Sequence, residues 1–304
     1  MFLSSARSGP AQLRDLLSRD GLVVAPGAYD ALSARLVEEA GFPAVYMTGF
    51  GTAASYLGRP DVGLLSMSEM ADQARRIAGA VDVPVIADAD TGYGNPLNVV
   101  RTVHEYERAG VAALHIEDQE APKKCGHIEG KRLIPPADMV AKIAAAVAAR
   151  NDPDVVLIAR TDARAVEGLP AALDRARRYR DAGADVLFVE APQSDGEIET
   201  IAETLSDVPL LFNWAEGGKT PPVSSERLSE LGFRIVIFPV GALLAAARAV
   251  RAVMAEIRAA GTPAGVMDRM VPFADFLELI GLPEVRELEQ RFASGPAGAG
   301  DKEG

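Results

Sequence analysis

Eight short apolar runs punctuate the chain, at residues 22–26, 44–49, 83–90, 112–118, 155–162, 185–190, 209–214 and 234–239. Nearly all are apolar on consecutive residues and rich in Val, Ile and Ala, the pattern of strands covered on both faces and hence of a parallel sheet. The stretches between them place apolar residues at helical spacing and are long enough for crossover helices. Four of these end alike, at Ala40-Gly41, Ala109-Gly110, Ala182-Gly183 and Leu231-Gly232, where glycine stops a helix by turning left-handed. Two further strands open with Asp-Val-Pro, at Asp82 and Asp207, where proline at a strand's first residue loses no ladder bond. Eight recurring βα units predict an α/β fold of the closed (β/α)8 TIM-barrel type, with an open doubly wound sheet as the alternative.

No linker interrupts the pattern from Leu22 to about Ile257. The expected organisation is an N-terminal arm and helix over 1–21, a catalytic barrel over 22–262, a C-terminal helical segment over 263–294 and a disordered tail over 295–304. Residues 12–18 form a short helix suited to covering the bottom of the barrel. The region 273–292 carries Leu277, Leu279, Ile280, Val285, Leu288 and Phe292 with no strand after it. That apolar surplus predicts packing on another subunit or back over the barrel.

Composition bears this out as a globular chain. Of 304 residues, 48% are hydrophobic, 24% charged and 6% aromatic, which supplies a large core and excludes a fibrous or mostly disordered protein. The net charge of −12 repels phosphate backbones and anionic lipid surfaces, so neither nucleic acid nor membrane is an expected partner. Cys125, the single cysteine, forms no intrachain disulfide, and the opening MFLSSARSGPAQ lacks an apolar core for a signal or a span. A cytoplasmic location is the expectation.

In a parallel barrel, chemistry gathers where strands end, and here those ends are polar. They deliver Tyr46, Thr48 and Gly49; Asp88 and Asp90; His115, Glu117 and Asp118; Arg160 and Asp162; Glu190; and Asn213 and Glu216. Carboxylates crowded on strands three and four repel one another unless a hard divalent cation sits among them, which implies Mg2+ or Mn2+. The alternative is pairing of these acids with barrel arginines such as Arg160. Asp88 and Asp90, two apart on one strand, are expected to face the same side. The connection 119–136 is long for a βα loop and reads as a lid carrying Lys123, Lys124, Cys125, Gly126 and His127. The flanking bases are expected to lower the thiol's pKa and make it an acid/base group. His104 and His115 read as structural, and Trp214 as pocket wall or core.

Four ordered motifs, DADTGYG at 88–94, IEDQ at 116–119, KKCGH at 123–127 and ARTD at 159–162, resemble those of the isocitrate lyase/phosphoenolpyruvate mutase superfamily. The likeness runs from about Leu22 to Phe292 and is greatest to carbon–carbon lyases of the 2-methylisocitrate and 2,3-dimethylmalate type. It implies a barrel whose last helices are exchanged between subunits of a dimer, within a homotetramer. It also implies Mg2+ bound at Asp88 and Asp90, with Asp61 and Glu117 completing the shell largely through water. Tyr46, Thr48, Gly49, Gly126, Arg160, Glu190 and Asn213 would line the substrate site. Cys125 would be the general acid, in a catalytic set with Lys123, His127, Tyr46 and Arg160. The implied reaction cleaves the C2–C3 bond of a 2-hydroxy di- or tricarboxylate to a 2-oxo acid and a second carboxylate, with Tyr46 or a metal-linked carboxylate taking the hydroxyl proton. The alternatives are phosphonopyruvate or carboxyphosphonoenolpyruvate mutation, oxaloacetate decarboxylation or hydrolysis, and non-catalytic keto-acid binding. Relatives often read Asn-Met-Thr-Glu-Phe-Gly-Lys-Thr-Pro where this chain has NWAEGGKTP at 213–221, and tend to have Arg at the position of Leu244. With Ala215, Gly217, Leu244 and Phe50 in place, the distal carboxylate is expected to be held differently.

Overall fold

A computed structural model describes residues 9–293; the start of the N-terminal arm and the tail over 295–304 lie outside them. The chain runs α1 (Gly9–Ser18), β1 (Val23–Ala28), α2 (Ala31–Glu39), β2 (Val45–Met47), α3 (Gly49–Leu57), α4 (Met67–Ala78) and β3 (Val85–Asp88). It continues through α5 (Pro96–Ala109), β4 (Ala113–Glu117), α6 (Pro136–Ala149), β5 (Val156–Thr161), α7 (Ala163–Val166), α8 (Leu169–Asp181) and β6 (Val186–Val189). Then follow α9 (Asp195–Thr204), β7 (Leu210–Asn213), α10 (Ser225–Glu230), β8 (Ile235–Phe238) and α11 (Gly241–Ala260). The eight strands are parallel and close into a barrel in sequence order, with Val23 of β1 opposite Ile235 of β8. Closure excludes the doubly wound alternative.

The continuous apolar runs split between two faces. Val45, Met47, Val85, Ala87, Leu114, Ile116, Leu157 and Ala159 point outward into the layer shared with the helices. Ala25, Tyr46, Ile86, Ala113, Ile158, Phe188, Leu211 and Ile237 point inward and fill the barrel. Leu13 of α1 joins that inner cluster, and Arg14 donates to the carbonyls of Asp154 and Val155 and to Asp185. These groups lie where β5 and β6 begin, so α1 seals the barrel's N-terminal end. The expected helix stops hold: Gly41, Gly110, Gly183 and Gly232 all have positive φ.

A second compact unit begins at Ala249. The expected helical region over 273–292 is two helices, α12 (Phe273–Leu279) and α13 (Leu282–Ala293), broken at Gly281 with φ 86°. In α11, α12 and α13 no residue is buried. Among the described residues no helix is long and apolar enough to cross a membrane.

Candidate active site

The inward phase of the strands builds the site. Two residues beyond each inward apolar side chain toward the strand end, polarity appears: Asp88 follows Ile86, His115 and Glu117 follow Ala113, and Arg160 and Asp162 follow Ile158. Glu190 likewise follows Phe188, Asn213 follows Leu211 and Thr48 follows Tyr46. The apolar layer thus forms the floor of a cavity of about 220 Å³ at the C-terminal mouth, lined by Tyr46, Thr48, Phe50, Asp61, Asp88, Lys123, Cys125, His127, Arg160, Asn213, Ala215 and Leu244 among others.

The long loop after β4 reaches into this mouth. Its stem is pinned where Gln119 pairs with Leu133 and where the Glu120 N–H donates to the Arg132 carbonyl over 2.8 Å. Gln119 ties the tip to the strand, donating to Glu117 Oε1 at 2.9 Å and to the Lys124 carbonyl at 2.7 Å. Lys123 Nζ lies 2.7 Å from Asp61 Oδ1 and 2.6 Å from Asp90 Oδ1. The Cys125 N–H donates to the Asp61 carbonyl over 3.1 Å, and Lys131 donates to the Gly126 carbonyl. His127 accepts from the Lys219 N–H at Nδ1 over 3.1 Å, and its Nε2 lies 3.0 Å from Glu190 Oε1.

Two glycines are required by close approach. A Cβ on Gly49 would lie 2.2 Å from Asp88 Oδ2, and one on Gly126 would lie 2.5 Å from Arg160 Nη2 and 2.6 Å from Glu190 Cγ. The Gly126→Ala variant is expected to lose roughly 100-fold in turnover, the cost of displacing a reacting group by about 1 Å, while its Tm stays near wild type. Steady-state kinetics beside a thermal melt would check this; unchanged turnover would show that the tip need not seat here.

Electrostatically the site is an acid cluster short of cations. Asp61, Asp88, Asp90, Glu117, Asp162 and Glu190 face Lys123, Lys131 and Arg160. Burial, and repulsion by Asp88 and Asp61 that Lys123 does not cancel, push the Asp90 carboxyl up to about 7. Burial raises Glu117 well above its usual range despite Arg160. Arg160 sits 3.2 Å from Glu117, donates to Asp162 over 3.0 and 3.1 Å, and lies 3.4 Å from Glu190. Burial would raise Glu190, but Arg160, His127 and the Asn213 amide outweigh it and hold it down at about 2. The pairing of acids with Arg160 that the sequence left open is therefore present for Glu117, Asp162 and Glu190.

Two expectations are corrected here. Asp90 does not share β3 with Asp88, because the strand ends at Asp88 and Asp90 turns left-handed at φ 46°. Its N–H donates to Asp88 Oδ1 over 2.9 Å, and Lys123 rather than strand phase brings its carboxylate into the cluster. The Cys125 thiol is raised to about 11 instead of lowered: burial dominates, the His127 backbone N–H offsets part of it, and Asp61 and Glu190 add to it. The bases meant to depress it are committed elsewhere, Lys123 to Asp61 and Asp90, His127 to Glu190, and Lys124 to the Glu129 carbonyl.

Tyr46 lies 2.9 Å from His115 Nε2, and burial, with Asp88 adding, keeps it a phenol well above its ordinary value. A phenol donates a hydrogen bond and does not abstract a proton, which favours the carboxylates over Tyr46 as base. His115, read as structural, is in the site: burial lowers it to about 4, so the imidazole is neutral beside Tyr46 and 3.7 Å from Asp88. Asp162 and Gln119, present among the strand ends and motifs but given no role there, also belong to the site. Lys131 was not found, and nothing local marks it. Thr48 lines the cavity while capping α3 through the Gly51 N–H. Trp214 is outside the lining, donating to the Val223 carbonyl over 3.0 Å and packing on Phe238. His104 is within 3.0 Å of the Ala149 carbonyl. Asp118 points outward, where Thr161, Tyr179 and Arg175 satisfy it.

Among the described residues no three His, Cys, Asp or Glu side chains converge as a ready-made metal cage. The donors nevertheless suit a hard ion that keeps several waters and needs one or two direct carboxylates. Asp90 Oδ1 and Glu117 Oε2 are buried without a hydrogen bond of good geometry, and the cluster holds excess negative charge. All-oxygen ligands of this kind fit Mg2+.

The chain is similar to known proteins over most of its length. Residues 13–258 match the family model for phosphoenolpyruvate phosphomutase. A 2,3-dimethylmalate lyase of Eubacterium barkeri is 48% identical over 285 residues, covering 94% of this chain and 98% of that protein. A 2-methylisocitrate lyase of Aeropyrum pernix is 48% identical over 269 residues, covering 88% and 86%. The solved structure of an oxaloacetate acetylhydrolase with 3,3-difluorooxalacetate superposes with a TM-score of 0.91 at 40% identity, over 96% of this chain and all of that one. A phosphonopyruvate hydrolase complexed with oxalate and Mg2+ superposes with a TM-score of 0.86 at 35% identity, over 95% and 100%. The named relatives include lyases, and the chain belongs to the phosphoenolpyruvate phosphomutase family, within the PEP mutase/isocitrate lyase superfamily.

Proposed function

We propose that this chain is a Mg2+-dependent carbon–carbon lyase that splits a 2-hydroxy dicarboxylate or tricarboxylate into a 2-oxo acid and a second carboxylate. The observation that carries the reading is a thiol held protonated by burial at the cavity, across from carboxylates and Arg160. Asp61, Asp88, Asp90 and Glu117 would hold Mg2+. When bound, the ion would supply positive charge for the 2-hydroxy-carboxylate end and for the oxygen that becomes a carbonyl.

The protein's own groups do the rest. Asn213 Oδ1 is buried without a partner while its amide donates to Glu190, so it offers an acceptor to a substrate hydroxyl. The hydroxyl proton passes to the carboxylate face as the C2–C3 bond breaks. The electron pair moves onto the departing fragment, a carboxylate-stabilised carbanion. Cys125 Sγ–H protonates that carbon, and the seated loop keeps competing water away. Arg160 and the Tyr46–His115 couple oppose charge on the oxo-acid side.

The nearness of 2,3-dimethylmalate and 2-methylisocitrate lyases supports this reading. The exposed apolar side chains Val250, Met254, Phe273 and Phe292 support a homo-oligomer whose C-terminal helices are exchanged, and the chain's composition supports a cytoplasmic location. The test incubates purified protein and Mg2+ with a panel of 2-hydroxy di- and tricarboxylates, detecting the 2-oxo acid with lactate dehydrogenase. Release abolished by EDTA and restored by Mg2+ is expected. Silence on every compound would leave a keto-acid binder in place of a lyase.

A further inference from the structure

The cavity differs in character from one side to the other. β3 and β4 bring acids to one side, where Lys123 and Arg160 also stand, each already paired with two or more carboxylates. β7 and β8, across the closed barrel, contribute Ala215, Pro239, Val240 and Leu244, and Phe50 completes an apolar wall.

One element on the β7–β8 side is suited to an anion, the N-terminus of the 20-residue helix α11. It is already taken. Glu216 accepts from the Val240 N–H over 3.0 Å and from the Gly241 N–H over 2.7 Å. Gly241 lets it come so close, since a Cβ there would stand 2.5 Å from Glu216 Oε1. His127 is engaged as well, Nδ1 accepting from the Lys219 N–H and Nε2 lying 3.0 Å from Glu190 Oε1. A carboxylate entering this half would meet apolar walls and a fixed negative charge, and would lose its hydration without a partner.

We propose that the substituent carried into the β7–β8 half is alkyl. The substrate is then an alkyl-substituted 2-hydroxy dicarboxylate and not a tricarboxylate, with Leu244 and Glu216 setting the choice. This rests on the lyase reading, which names the cavity as the substrate site. Leu244 is 51% exposed at the start of α11, so the Leu244→Arg variant folds without burying its new charge.

Two measurements on the full chain with Mg2+ test it. In turnover, a methyl-substituted malate should exceed a methylisocitrate-type tricarboxylate in kcat/KM by roughly 100-fold or more, and Leu244→Arg should shrink that ratio at least about tenfold. In calorimetry, unreactive 2-methylsuccinate should bind more tightly than propane-1,2,3-tricarboxylate, with the order narrowing or reversing in Leu244→Arg. A wild-type preference for the tricarboxylic compound, or a ratio indifferent to Leu244→Arg, would overturn the inference. Absence of turnover with the calorimetric preference intact would discard the lyase reading and leave the alkyl half standing.

Discussion

Cys125→Ser should lower kcat by roughly 100- to 10,000-fold, the worth of a well-placed general acid, with KM changed little. The hydroxyl keeps approximate size and position but is a much weaker acid than the thiol, so the carbanion waits for its proton. Burial holds the wild-type thiol at about 11, and its acid form is therefore present throughout the neutral range and well above it. No loss of kcat/KM assignable to the thiol is expected between roughly pH 8 and 10. A thiolate nucleophile would behave oppositely, gaining activity as the pH rose toward 11. Full activity in Cys125→Ser would end the lyase mechanism, because mutation and decarboxylation need no thiol proton.

Arg160→Met should destabilise the chain by about 3–5 kcal/mol, the usual cost of deleting one partner of a buried ionic group. That corresponds to a fall in Tm on the order of 10 °C for a domain of this size. The variant strands Glu117, Asp162 and Glu190, all of them buried. The pH dependence has a definite sign. Glu190 is held at about 2 against an ordinary 4.5, so its stabilising contribution is complete above 4.5 and disappears as the pH falls toward 2. The gap in Tm between wild type and variant should accordingly be widest above pH 4.5 and narrow below it, as thermal melts across that range would show. Activity should fall as well, since Arg160 lines the cavity. A variant as stable as wild type would mean that the three acids find other partners.

Much of this was legible before folding because the barrel is written in local patterns. A strand covered on both faces needs consecutive apolar residues, and a helix turning directly into a strand needs a residue free to adopt positive φ. The runs at 112–118 and 155–162 contain β4 and β5, and Gly110 and Gly183 end the helices before β4 and β6. The polar ends of those strands pointed to the site for a related reason: charge beyond an apolar floor is tolerated only where a ligand or counter-charge meets it.

What stayed hidden was partnership across the chain. Lys123 and Asp61 are 62 residues apart and His127 and Lys219 are 92 apart, and no local spacing says that a loop lysine will spend its charge on two aspartates. The thiol was misjudged for that reason, its neighbours in sequence being engaged elsewhere in space.

By itself the order of apolar and polar residues determined the eight strands, their alternation with helices, the polar rim and the motifs of the superfamily, because each is set by contacts of a few residues with solvent or with their own backbone. Only the tertiary structure decided which acids pair with which bases, that burial keeps Cys125 protonated, that His115 stands beside Tyr46, and that Glu216 closes the far side to a further carboxylate. Those outcomes follow from desolvation and from charges brought together across the barrel, quantities that exist only once the chain has closed.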